Sequence, residues 1–158
     1  GKKDGVSLIP PKSSQNQSAA SEADLITIPT AIIFEVQSSP ALQPQVRVPV
    51  IIESVSKNSE GQVRIQVKAF TSEASSYSAI EPRDLFELID LREVNQKPVE
   101  VTGVFDSMPP KSVATGSIVF KIKPAEKSII IQINMVEGRM KHYEFNFEKK
   151  TYKETEIG

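Results

Sequence analysis

The chain has 158 residues, 39% hydrophobic and 25% charged, with a formal net charge of −1 and a pI near 6.0. That length suits one domain with a real core plus a tail. The balanced charge leaves no electrostatic footprint for nucleic acid or an anionic membrane. The absence of cysteine excludes disulfides, thiolate zinc sites and a cysteine nucleophile, and no apolar run is long enough for a transmembrane helix.

Residues 1–24 are rich in Ser, Gln, Lys and Ala and include Pro10-Pro11. They bury too little apolar surface to offset their ordering entropy, so they are expected to form a flexible leader ahead of a single domain over residues 25–158. A Ser-rich stretch without an initiator Met is typical of the segment behind a signal peptide or a lipid-anchored cysteine. The expected location is therefore extracytoplasmic, as a secreted protein or membrane-anchored lipoprotein. The alternative is a piece cut from a longer protein, with Gly1 added by cloning.

The first strand is expected over residues 25–37, with Pro29 marking an edge or splitting off a short strand. Residues 46–57 alternate, with Val46, Val48, Val50 and Ile52 on one face, and Pro49 again suggests an edge or a bulge. Asn58 to Gly61 forms a tight turn, and residues 62–71 form the cleanest strand, with Val63, Ile65, Val67 and Ala69 inward. Together these two runs make a β-hairpin. Residues 72–82 are small and polar apart from Tyr77 and Ile80, which predicts a long surface loop.

Residues 83–92 fit two periods. Leu85, Phe86, Leu88, Ile89 and Leu91 make a helical stripe that Pro82 could start, while Phe86 and Leu88 also fit strand alternation. A short strand is expected next at residues 99–104, then a Pro-Pro loop at 107–114. Two more alternating runs, 117–123 and 128–133, flank a break, with Ile118, Phe120 and Ile122 on one face of the first. Gly138 turns the chain. Residues 142–147 set Tyr143, Phe145 and Phe147 against His142, Glu144 and Asn146. The charged end is expected to fray after one more short strand. About seven short strands separated by turns predict an all-β, antiparallel β-sandwich. Ile65, Val67, Phe120, Ile122, Ile131 and Phe145 are its expected core.

The run Asp84 to Asp90, the loop Met108 to Gly116 and the strand Ser117 to Ile122 carry a resemblance, together with the hairpin from Val48 to Phe70 before them. The pattern resembles the immunoprotective extracellular immunoglobulin-like domains of bacterial lipoproteins and secreted antigens, over residues 46–147. The chain departs from it at Lys111, where that loop usually has Gly, and at Thr71-Ser72, where an Asn often ends the strand. The resemblance implies an immunoglobulin-like sandwich outside the cytoplasm, carries no general catalytic residues, and favours strand over residues 83–91.

No residue pattern outweighs its structural explanation. Gly116 fits a turn or bulge and Phe120 fits the core. His142 is the only histidine, Glu144 shares its face, and no G-x-S-x-G elbow supplies a nucleophile, so a surface histidine on an outer sheet face is expected. Asp84, Glu87, Asp90 and Glu93 recur every three residues but lack EF-hand spacing, so a solvated face is expected rather than a calcium site. Asn16-Gln17-Ser18 is a glycosylation sequon by pattern alone.

The expected function is a non-enzymatic interaction or accessory domain of the cell envelope, without cofactor or metal. Its partner would be a protein or envelope component, and the membrane would be reached only through a lipid anchor. Tyr77 and Ile80 on the 72–82 loop are the candidate partner-binding residues, because loops carry contacts and Tyr is favoured at recognition surfaces. The alternative is a small-ligand carrier with a pocket between the sheets.

Overall fold

The computed structural model describes residues 25–37, 47–71, 77–78, 82–90, 94–103, 107–108 and 111–157. In chain order these form β1 (Ile26–Gln37), β2 (Arg47–Lys57), β3 (Gln62–Phe70), β4 (Tyr77–Ser78), a single helical turn α1 (Pro82–Leu85), β5 (Phe86–Leu88), β6 (Glu100–Gly103), β7 (Ser107–Met108), β8 (Val113–Lys121), β9 (Ser128–Asn134), a 3₁₀ turn (Val136–Gly138), β10 (Met140–Asn146) and β11 (Thr151–Thr155). A five-stranded sheet has the order β1-β2-β3-β8-β6, a four-stranded sheet the order β11-β10-β9-β5, and β4 pairs with β7 in a separate ladder. Every pairing is antiparallel. The fold is an all-β sandwich, with nine strands in its two main sheets among the described residues, where the sequence suggested about seven.

Both prolines act as strand punctuation, each in its own way. Pro29 lies within one continuous strand, β1, at the edge of the five-stranded sheet. The register slips between Pro29 and Ile32. The Thr30 hydroxyl in this bulge donates to the Ile52 carbonyl at 2.7 Å, and the Ala31 N–H donates to the Tyr152 hydroxyl of β11 at 3.2 Å. Pro49 is not on an edge strand, since β2 lies between β1 and β3. Pairing with β3 starts at Val50, one residue later, so the missing Pro49 N–H falls beyond the end of that ladder. A second slip between Ile52 and Ser54 inserts Glu53 and changes the phase. Val48, Val50 and Ile52 point inward before it, and Val55 after it.

The described part of the 83–92 run realises both periods in succession: one helical turn to Leu85, then a three-residue strand that buries Phe86 and Leu88. The Pro-Pro loop gives way to strand at Val113, four residues before the expected start, so Gly116 sits inside β8 and not at its beginning. There it pairs with Gly103. A Cβ on Gly103 would lie 2.4 Å from the Gly116 Cα, so a side chain there would prise β6 from β8.

The core lies between the sheets. Ile65, Val67, Phe120, Ile131 and Phe145 are buried as expected. Ile122 is only half-buried, because it lies one residue past β8. Val119 and Ser117, which alternation puts on the opposite face of that strand from Ile118 and Phe120, are also buried; β3 and β6 flank β8 on either side. Phe34 of one sheet meets Phe86 of the other edge-to-face, centroids 5.8 Å apart. Such pairs add about 0.5–1.5 kcal/mol beyond area burial. Tyr152 stacks on Phe145 at 6.0 Å. That packing raises its hydroxyl to meet β1.

Candidate functional site

A hydrogen-bonded polar surface crosses the outer face of the four-stranded sheet. Inward Ile131 and Ile133 alternate with outward Gln132 and Asn134 along β9. The register sets Gln132 opposite His142 on β10 and opposite Glu87 on β5. His142 is opposite Thr155 on β11. Four side chains from four strands thus form one row.

Three of these side chains, His142, Gln132 and Glu87, are joined head to tail through Asn134. The Gln132 amide donates through Nε2 to Asn134 Oδ1 at 2.9 Å. Its Oε1 therefore faces His142 Nε2, 3.0 Å away, which makes that ring nitrogen the donor. Asn134 Nδ2 donates to the Asp84 carbonyl at 2.9 Å and to Glu87 Oε2 at 3.3 Å. Asn95 Nδ2 donates to the other Glu87 oxygen at 3.4 Å. Lys97 Nζ lies 3.5 Å from both Asp84 and Glu87 carboxylates. Every donor in the row points towards the Glu87 carboxylate, an alignment in which each bond polarises the next. Gln132 is 8% exposed, and the Glu87 side chain 20%. The row is a fixed array of polar groups and not a set of free surface rotamers.

An open cleft of about 840 Å³ adjoins this row. Leu88, Ile122 and Ile129 give it apolar walls, while Lys121, Lys123, Glu126 and Glu144 give it charge of both signs. Glu144 lies two residues from His142 on the same face of β10 and pairs with Lys153 at 3.7 Å. The cleft also includes Leu88 and Gln96, whose backbones exchange two 2.9 Å hydrogen bonds beside Lys97. This bridge caps the free edge of β5.

The structure brings together some of the residues singled out in the sequence and separates others. His142 lies on an outer sheet face as expected, half-buried and hydrogen-bonded. Asp84 and Glu87 meet at Lys97, while Asp90 lines the cleft. Glu93, Ile80 and the Tyr77 side chain lie outside the described residues. The Tyr77 backbone pairs with Met108. Among the described residues, no three His, Asp or Glu side chains are placed to hold a metal ion, and no helix is long and apolar enough to cross a membrane. Sequence reasoning missed Gln132, Asn134, Asn95 and Lys97. The available signal was the polar phase of β9, which lines up with His142 once the Gly138 turn fixes the register.

The chain matches no family model, and comparisons with curated proteins and with solved structures return no match either.

Proposed function

We propose that this chain is a non-enzymatic interaction domain of the immunoglobulin-like extracellular type, acting outside the cytoplasm in a bacterial cell envelope. The observation that carries the interaction reading is the hydrogen-bonded row Glu87–Gln132–His142 with Asn134 and Lys97. Side chains already held by neighbours lose little entropy on binding, so such a row favours a partner that matches its donors and acceptors. Lys111 supports the family reading. It takes a left-handed φ of 54°, where the resembled loop has glycine, the residue that adopts such a backbone without cost. The extracytoplasmic reading rests on the composition of residues 1–24.

The test compares immobilised wild-type protein with Gln132→Leu and Asn134→Leu variants in envelope extracts. A partner held by the wild type and lost by both variants is the expected result. A partner retained by both variants removes the row from the interface. Hydrolysis of an ester, peptide or glycan substrate that His142→Ala abolishes would overturn the non-enzymatic reading.

A second reading, a small-ligand carrier, is favoured by the cleft, whose volume falls within the roughly 300–1,000 Å³ of ligand sites. Its site would be at the end of the sandwich, because the space between the sheets is filled by buried Phe34, Phe86, Phe120 and Phe145. A small molecule retained in native mass spectrometry, and displaced by Ile129→Arg, would decide for it.

A further inference from the structure

The outer face of the five-stranded sheet differs in character from that of its partner sheet. Ile33 pairs with Ile51 and Glu35 with Pro49. Ile51 pairs with Lys68, Lys68 with Thr115 and Phe70 with Val113. Ile33 is 66% exposed, Val113 56% and Phe70 38%. Ile51 and Pro49 are half-buried between them. Five apolar side chains thus form one continuous strip across β1, β2, β3 and β8. The charges beside the strip are already paired: Lys68 with Glu53 at 3.0 Å, and Arg47 with Glu35 at 3.6 Å and Glu137 at 3.1 Å.

We propose that two copies of this chain associate face to face through this strip, as a weak, reversible dimer. The paired charges argue against an acidic or basic polymer as occupant, because two cations and three carboxylates leave a net of only −1 beside the strip, with each group in an ion pair. The fitting partner is apolar with its few charges placed to complement Glu53 and Lys68, and a second copy has those properties. A two-fold axis along the strands, between β2 and β3, lays Pro49 over Phe70 of the second copy. It brings Ile51 over the Lys68 stem of that copy and sets Glu53 beside its ammonium group. No like charges then face each other, and each Glu53–Lys68 pair gains an intermolecular counterpart. With strands about 4.8 Å apart, the strip and its flanking charges cover about 400 Å². That is about half of what each partner buries in a standard interface, hence a weak dimer.

Sedimentation from about 1 μM to about 1 mM tests this, with an expected dissociation constant of tens to hundreds of micromolar. Ile33→Glu and Val113→Glu, both at exposed positions, should each weaken the dimer at least tenfold and leave the thermal midpoint near wild type. Glu53→Lys and Lys68→Glu should each weaken self-association, and mixing the two variants should restore a dimer. Wild-type protein that stays monomeric to about 1 mM overturns the proposal. So does a dimer that Ile33→Glu and Val113→Glu leave intact, or a mixture of the two charge variants that fails to associate.

Discussion

Replacing Gly61 by alanine should destabilise the domain by about 3–6 kcal/mol, through three effects at one point. Gly61 has φ +88° in the β2–β3 turn, a turn closed by Asn58 Oδ1, which accepts from the N–H groups of Glu60 and Gln62 at 3.0 Å. A left-handed backbone costs an L-residue roughly 1–2 kcal/mol. The new Cβ would stand 2.1 Å from the Ile122 carbonyl oxygen, a backbone atom with little freedom to retreat. Relief of such a clash by backbone movement costs about 1–3 kcal/mol. That movement would stretch the 2.8 Å bond from Ile122 N–H to the Gly61 carbonyl, worth about 1 kcal/mol. Gly138 supplies the control, with φ +73° and nothing within 4 Å of a Cβ. Gly138→Ala should cost only the backbone component, roughly 1–2 kcal/mol. Urea unfolding followed by circular dichroism, fitted with a common slope, measures both. Two variants within about 0.5 kcal/mol of each other would mean that the turn is not seated against the end of β8.

Phe120 is fully buried, so Phe120→Ala should cost about 3–5 kcal/mol in the same assay, and a loss under about 1 kcal/mol would contradict its inward placement. Lys111→Gly should stabilise by up to about 1 kcal/mol, because relief of a left-handed lysine outweighs the added freedom of the unfolded chain; a lower urea midpoint would refute this. Burial, then the neighbouring Glu154 and Tyr152, push the Tyr143 hydroxyl above the ordinary tyrosine value of 10.0. The unfolded chain therefore releases that proton first, so the Tyr143 contribution is intact below pH 10.0 and declines as pH rises through the higher folded value. Tyr143→Phe should flatten the loss of stability above pH 10.0, and an unchanged alkaline slope would count against the shift.

The strands that could be read from the sequence were those whose alternation is unbroken. Along β3, Val63, Ile65, Val67 and Ala69 are all buried, as the period of two requires. Legibility fails where one residue is inserted. Nothing local marks Glu53 as the bulge that flips β2, because its neighbours Ile52 and Ser54 are ordinary strand residues. The 83–92 run misled for another reason: residues 82–88 hold a helical turn and a strand back to back, so neither template matched all of them. The polar row was least visible. Gln132, His142 and Glu87 are ordinary residues when taken singly, and the pairing that joins β5 to β9 spans more than forty residues. His142 could be placed on an outer face from its own strand, but its partner could not.

The bond from Ala31 to Tyr152 joins β1 to β11, the first and last of the described strands. A vectorially synthesised chain meets this requirement late. While β11 is still inside the ribosome, β1 has its bulge N–H without the Tyr152 hydroxyl and β10 has an open flank. The nascent chain can zip its local hairpins early, but the seam closes only when the final tyrosine arrives. A high sequence separation of this kind slows folding. It makes the last of the described strands the point at which an open pair of sheets becomes a sealed body.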